Sequence, residues 1–236
     1  MTLRIMPTRN SLLASLTPSS RAALSQWMTP AHMAAGDILI EQGAPITELH
    51  FPLSGTLSNL VLFSDGRAAE TACIGSEGLS GLAAFLADAP CAWQVSVQIP
   101  GQMVRIPVTP LRALAEADDR LMRRLILLSH DYQAQAAQTA ACNILHSATQ
   151  RLSRWLLLAI DRAGSDEVPV TQADLGVALG VRRSTVSDVL HEIKASGAVR
   201  LGRRRVHVLQ RARLEHIVCE CYGRDKDRSR DLGLVD

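Results

Sequence analysis

The residues best placed to do chemistry lie between Thr171 and Arg205, and the chemistry they offer is recognition of nucleic acid. From Arg182 to Lys194, Val186, Val189, Leu190 and Ile193 recur at i, i+3, i+4 and i+7, the spacing of a helix with one buried face. Arg182, Arg183, Ser184, Ser187 and Asp188 are left outward on its N-terminal turns. A guanidinium there can grip guanine O6 and N7 with two hydrogen bonds while a hydroxyl bonds phosphate. Upstream, Thr171 can cap a shorter helix that buries Leu175, Ala178 and Leu179, and Gly180 supplies the backbone freedom of a tight turn. Two helices joined this way make a helix-turn-helix, whose second helix enters the major groove with its first turns leading.

Past Lys194, Ser196-Gly197 breaks the helix. Ala198 to Leu201 and Val206 to Leu209 then read as two strands joined by a turn over Gly202 to Arg205. Six arginines and no acid fall between Arg200 and Leu214. The hairpin is therefore a basic wing that would lie beside phosphates, adding salt-dependent affinity and little base choice. Residues 1–149 carry 9 basic and 11 acidic side chains, a net −2, whereas residues 150–236 carry 16 and 12, a net +4. The positive charge belongs to the half that holds the motif. The candidate DNA contacts are Thr171, Gln172, Arg182, Arg183, Ser184, Thr185, Ser187, Asp188, Arg203, Arg204 and Arg205.

The elements that must carry this motif come before it. Thr17 and Pro18 suit the cap and first position of a short helix running to about Trp27. Between Met28 and Pro107, brief apolar runs at Asp37 to Ile40, Leu57 to Phe63, Ala68 to Cys73, Trp93 to Gln98 and Met103 to Ile106 are separated by turn residues. Their regular spacing predicts a small β-barrel or sandwich, and Asp65-Gly66 predicts a two-residue hairpin turn with both positions at positive φ. Thr109-Pro110 opens a helical stretch, uninterrupted by Gly or Pro from Asp119 to about Asn143. Leu121, Leu125, Leu128, Tyr132, Gln135, Thr139 and Cys142 recur there with spacing 4, 3, 4, 3, 4, 3, which predicts a seam pairing the helix with its copy in a dimer. A single helix lying on the barrel is the alternative. A further amphipathic helix over Ser147 to Ala163 follows, with the boundary near Asn143 to Ser147.

At 236 residues, 47% hydrophobic and 20% charged, the chain has the composition of a folded globular protein. No apolar run approaches the ~20 residues needed to span a bilayer. The first ten residues lack the pattern of a secretory signal, so a cytoplasmic location is the default expectation. Cys73, Cys91, Cys142, Cys219 and Cys221 are odd in number and scattered, which predicts free thiols rather than a disulfide framework. Cys219-x-Cys221, with His216 as its only added candidate, is too few ligands for a metal site, and none is expected. An enzyme such as a metal-dependent cupin would want clustered His and Glu in the strands, yet residues 28–107 hold only His32 and His50. No H-E-x-x-H, G-x-S-x-G or phosphate-loop pattern occurs either, so catalysis is not expected. A ligand-sensing module that touches only other proteins is the remaining alternative.

In this order, a small β-barrel, a long helix and a winged helix-turn-helix, the chain resembles the Crp/Fnr family of bacterial transcription regulators over nearly its full length. Thr171 to Lys194 is the most specific segment, supported by the glycine punctuation Gly36-Asp37, Gly43, Gly55 and Gly75. The resemblance implies an α+β chain with an effector-sensing double-stranded β-roll over 1–118, a dimerisation helix and hinge over 119–145, and a winged helix-turn-helix over 146–236. It also implies a homodimer on a palindromic operator, and RNA polymerase as a partner.

The departures from that pattern bear on the effector. Members that bind cyclic AMP carry Gly-Glu and, about ten residues later, Arg-Ser or Arg-Thr. Here Gly81 stands where the Glu would be and Pro90-Cys91 where Arg-Ser would be, so cyclic AMP is not the expected effector. With no cysteine before Cys73, an iron–sulfur cluster of the Fnr kind is not expected either. An apolar pocket over Leu79, Leu82, Phe85, Cys91, Trp93 and Val95 is the expected sensing site. Haem held by His50, His130 or His146, and thiol sensing through Cys91 or Cys142, are further readings, but no cofactor is identified. In the recognition helix Arg183 matches the family's first Arg, whereas Ser184 replaces its Glu and Asp188 its later Arg. A different operator follows from that exchange.

Overall fold

The computed structural model describes residues 9–234. Two short helices open it, α1 (Ser11–Ala14) and α2 (Pro18–Ser25). Thr17 caps α2 by accepting from the amide of Ser20, with Pro18 in the first turn, as its sequence predicts.

Strands β1 (Thr29–Met33), β2 (Ile38–Ile40), β3 (Glu48–Pro52), β4 (Thr56–Leu62) and β5 (Ala68–Ile74) follow. After helix α3 (Leu82–Ala87) come β6 (Gln94–Ile99) and β7 (Gly101–Pro107). They form two antiparallel sheets, one ordered β1-β7-β3 and the other β2-β6-β4-β5. The order is a roll: strands far apart in sequence, such as β1 and β7, are neighbours in space. The β4–β5 hairpin differs from the predicted two-residue turn. Leu62 pairs with Ala68, the Phe63 amide donates to the Arg67 carbonyl, and Ser64–Gly66 form the loop. Gly66 alone takes a positive φ of 84°, while Asp65 accepts from the Arg67 amide.

Helix α4 (Val108–Ala117) leads into α5 (Asp119–Leu145), which Asp118 caps through the amides of Arg120 and Leu121. The α5 stripe that predicts a dimer seam is used inside the chain. Leu121, Leu125 and Leu128 are buried in the same core as Phe51, Leu82, Val104 and Leu111. Tyr132 Oη accepts from the Leu79 amide at 3.0 Å, and Gln135 Oε1 accepts from the Cys73 amide at 2.8 Å. Thr139 Oγ1 accepts from Arg154. A heptad stripe reports only that one helix face is covered, and here the roll covers its first part, α6 reaches Thr139, and Cys142 packs against Cys219 and Cys221.

Helix α6 (Ala148–Ala163) starts with a capping box between Ser147 and Gln150, so the chain breaks its helix at His146-Ser147. Strand β8 (Glu167–Val168), α7 (Gln172–Leu179), α8 (Arg183–Ala195), β9 (Val199–Gly202) and β10 (Arg205–Val208) complete the winged motif, with sheet order β8-β10-β9. Its core joins Leu156 and Ile160 of α6 with Leu175, Leu179, Val186, Leu190 and Ile193. Helices α9 (Arg211–Ile217) and α10 (Cys221–Asp231) follow, α10 packing against α5 and α6. Among the described residues no helix is long and apolar enough to cross a membrane.

Candidate nucleic-acid interface

The turn between α7 and α8 is built as its sequence requires. Thr171 accepts from the Asp174 amide while Asp174 accepts from the Thr171 amide at 2.8 Å, a reciprocal cap. Gly180 ends α7 at φ 61°, a left-handed conformation that a side chain would disfavour. Val186, Val189, Leu190 and Ile193 of α8 are buried, and Arg182, Arg183, Ser184 and Asp188 are exposed. Thr185 and Ser187 are half-covered at the margin. Thr171 is drawn into the cap, and Gln172 sits at the start of α7.

Arg182 occupies the N-cap of α8 and makes no side-chain cap. The first-turn amides and the positive end of the helix dipole are thus left to an anion from outside. His191 extends the same outward stripe, seven residues from Ser184, with Nδ1 held 2.7 Å from the Ser187 carbonyl and its side chain exposed. The sequence reading misses it, although the i, i+4, i+7 spacing from Ser184 through Asp188 contains it.

The wing sorts its arginines. Arg203 and Arg204 form the tip of the β9–β10 hairpin, with Arg204 at φ 58°. Arg200, Arg203 and Arg204 are exposed and have no hydrogen-bond or ion-pair partner among the described residues. Arg205 pairs with Glu167 at 2.7 Å. Arg211 is held by Asp161 and Glu215, and Arg213 by the Ser196 carbonyl. Half of the basic patch is structural, and the free half lies on β9 and the tip.

The predicted effector pocket is not one pocket. Leu79, Leu82 and Phe85 pack into the core shared with α4 and α5, whereas Cys91 and Val95, with Trp93 against them, belong to a separate core with Leu57 and Ile74. All but Trp93 are buried. Of the six, Phe85 borders a cavity, a small one shared with Ile46, Asp88, Pro90 and Arg112. Gly81 has φ 66°, which strains any side chain at this position, and a Cβ there would require Cδ1 of Ile46, 2.8 Å away, to shift. His50 is buried with Nδ1 2.8 Å from Ser80 Oγ, and burial, helped by Arg105, lowers its pKa to about 4. It is neutral at neutral pH.

Between the roll and α6 lies a polar contact. Glu70 of β5 accepts from Ser58 at 2.6 Å, from Trp155 Nε1 at 3.1 Å and from Gln98. Arg162 of α6 pairs with Glu77 at 3.1 Å.

Residues 30–118 match the cyclic nucleotide-binding domain family, and residues 150–217 match the Crp-like helix-turn-helix domain family. Among solved structures, FixK2 from Bradyrhizobium japonicum is similar at a TM-score of 0.68 and 19% identity, covering 81% of this chain and 98% of that one. A regulator of the Crp/Fnr family from Eubacterium rectale, described as putative, is similar at 0.69 and 18% identity, covering 87% and 96%. The c-di-GMP-responsive regulator CLP from Xanthomonas campestris is similar at 0.67 and 14% identity, covering 81% and 99%. No curated protein matches the chain.

Proposed function

Since the chain belongs to the Crp/Fnr family of DNA-binding transcription regulators, we propose that it acts as a homodimer that reads a two-fold symmetric operator through paired α8 helices. Arg182, Arg183, Ser184, Ser187, Asp188 and His191 face the base edges and adjoining phosphates, and Arg203 and Arg204 hold the flanking backbone. The observation that carries this reading is the exposure of Arg182 and Arg183 on the leading turn of α8, with no ion pair to either among the described residues. Buried or ion-paired guanidinium groups could not serve a groove.

The helix face left for a second copy is the one opposite the roll. Arg123, Ile126, His130, Gln133, Ala137, Ala140 and Ile144 lie on α5 with spacing 3, 4, 3, 4, 3, 4, a second heptad stripe suited to a parallel partner. Ile126 is 55% exposed and Ile144 82%, apolar area that a second copy of the helix would cover.

The effector in this reading is neither cyclic AMP nor an iron–sulfur cluster. Gly81 carries no carboxylate to take a ribose hydroxyl and its φ of 66° disfavours any side chain there, and Pro90-Cys91 offers no cation to a cyclic phosphate. Contact with RNA polymerase at a promoter completes the proposal. Recovery of genomic fragments bound by the full chain, followed by mobility-shift competition against random duplex at two salt concentrations, tests it. A recovered two-fold symmetric site that resists competition supports the reading. Equal competition by random duplex refutes it.

A further inference from the structure

Four groups that are far apart in sequence meet where α5 ends. Cys142 and His146 lie one helical turn apart at the C-terminal end of α5, and Cys219 and Cys221 flank the junction of α9 and α10. One ligand atom from each lies within 4.8 Å of all the others. Sγ of Cys142 is 3.7 Å from Sγ of Cys219, and Sγ of Cys221 is 3.6 Å from Nδ1 of His146. A disulfide needs its sulfurs about 2.05 Å apart, so these thiols are not bonded. The spacing is that of ligands around an ion: zinc–sulfur bonds of about 2.3 Å at tetrahedral angles put sulfurs roughly 3.8 Å apart.

The surroundings of the cluster fit the same chemistry. Nε2 of His146 faces Glu220 Oε2 at 3.3 Å, which directs Nδ1 toward the sulfurs, the carboxylate–histidine arrangement that orients metal-bound imidazoles. Gln138 Nε2 donates to Sγ of Cys221 at 2.9 Å, a bond that a thiolate accepts better than a thiol. All three cysteines are buried, and they form an apolar cluster of their own with Val218 against it. A groove lined by Gln138, Cys142, His146, Glu220, Cys221 and Arg224 reaches the cluster from solvent, so an ion has a path in.

We propose that Cys142, His146, Cys219 and Cys221 form a Cys3His site for a zinc ion. The three thiols release their protons to solvent, the neutral imidazole coordinates through Nδ1, and no electrons move. The donor set is closed, with four protein ligands and no open position, which marks a structural site rather than a catalytic one. Its position defines its role, because the ion ties the hinge end of α5 to a segment, 218–221, that lies beyond the residues matched to the helix-turn-helix family. The reading of the chain as a regulator is independent of this site and survives its failure.

The test uses the full chain, purified reduced and stripped by chelator, then titrated with Zn2+ or Co2+ alone. Expected are one metal per chain, a tetrahedral cobalt spectrum with a thiolate charge-transfer band, and protection of three of the five thiols from alkylation by Zn2+. Cys142→Ser and Cys219→Ser should lose the charge-transfer intensity or the binding, Glu220→Gln should bind roughly tenfold or more weakly, and Cys91→Ala and Cys73→Ser should bind as the parent does. The thiol-protection count needs no variant, so misfolding of a serine mutant cannot mask the answer. Sub-stoichiometric metal, cobalt bands without thiolate character, unprotected thiols, or a Cys142–Cys219 disulfide recovered in place of metal would each overturn the proposal.

Discussion

The indole Nε1 of Trp155, on α6, donates to Oε1 of Glu70, on β5 of the roll, at 3.1 Å. Together with the Arg162–Glu77 pair, this bond joins the helix-turn-helix part of the chain to the roll. Ser58 and Gln98 share the same carboxylate, so the contact rests on a group the roll already holds in position.

Burial pushes the Glu70 carboxyl above its ordinary range, against hydrogen bonds from Ser58, Trp155 and Gln98 that favour its charge. A folded pKa above the unfolded one means the protonated form is favoured on folding. Its stabilising effect is complete below about 4.3 and is lost as pH rises through the folded value. Glu70→Gln, an amide that can still accept from Trp155, should remove this loss. Urea midpoints of the parent should fall behind those of the variant as pH climbs through that window. Parallel curves would contradict the assignment.

Asp225 of α10 accepts from Arg154 of α6 and pairs with Arg228 at 3.0 Å, while Arg228 reaches Asp131 of α5 at 2.7 Å. Asp131, Asp225 and Arg154 are all buried. Asp225→Ala leaves the Arg154 guanidinium buried beside no carboxylate, and should cost about 3–5 kcal/mol of stability, read by chemical unfolding. A cost below about 1 kcal/mol, the scale of a solvent-exposed pair, would mean that α10 does not stay docked.

Two isoleucines distinguish the inner and outer stripes of α5. Ile126→Asp together with Ile144→Asp, on the exposed face, should weaken self-association at least tenfold by sedimentation equilibrium with little change in monomer stability. Leu125→Ala, on the inward face, should instead cost about 2–5 kcal/mol and leave association intact. The opposite pattern would return the seam to the inward stripe.

The motif that binds DNA is legible in the sequence because its evidence is local. A cap, a glycine and a 3.6-residue apolar period all fall within Thr171 to Lys194. Strands β1 and β3 are not legible: Thr29-Pro30-Ala31-His32-Met33 and Glu48-Leu49-His50-Phe51-Pro52 each carry a proline and a histidine. Both sit at the edges of a sheet whose centre is β7, where a missing amide is tolerated. The inward stripe of α5 reads correctly as a covered face but points to the wrong partner, because periodicity does not say what covers it. The pocket residues are apolar and close in sequence, as read, yet strand and helix send them into different cores. The thiol cluster is half visible as Cys219-x-Cys221. Its other half, Cys142 with His146 four residues on, lies 77 residues away from Cys219, and only the fold joins them.

The central claim is that α8 reads bases while the wing tip holds phosphates. The most direct measurement compares Arg183→Ala with Arg204→Ala on a recovered operator, on its single-base variants and on random duplex, across a salt series. Arg183→Ala should cost about 1–3 kcal/mol on the operator and relax choice at one base pair. Arg204→Ala should weaken every sequence alike and reduce the salt slope by about one unit. Equal losses for both variants on operator and random duplex would contradict it.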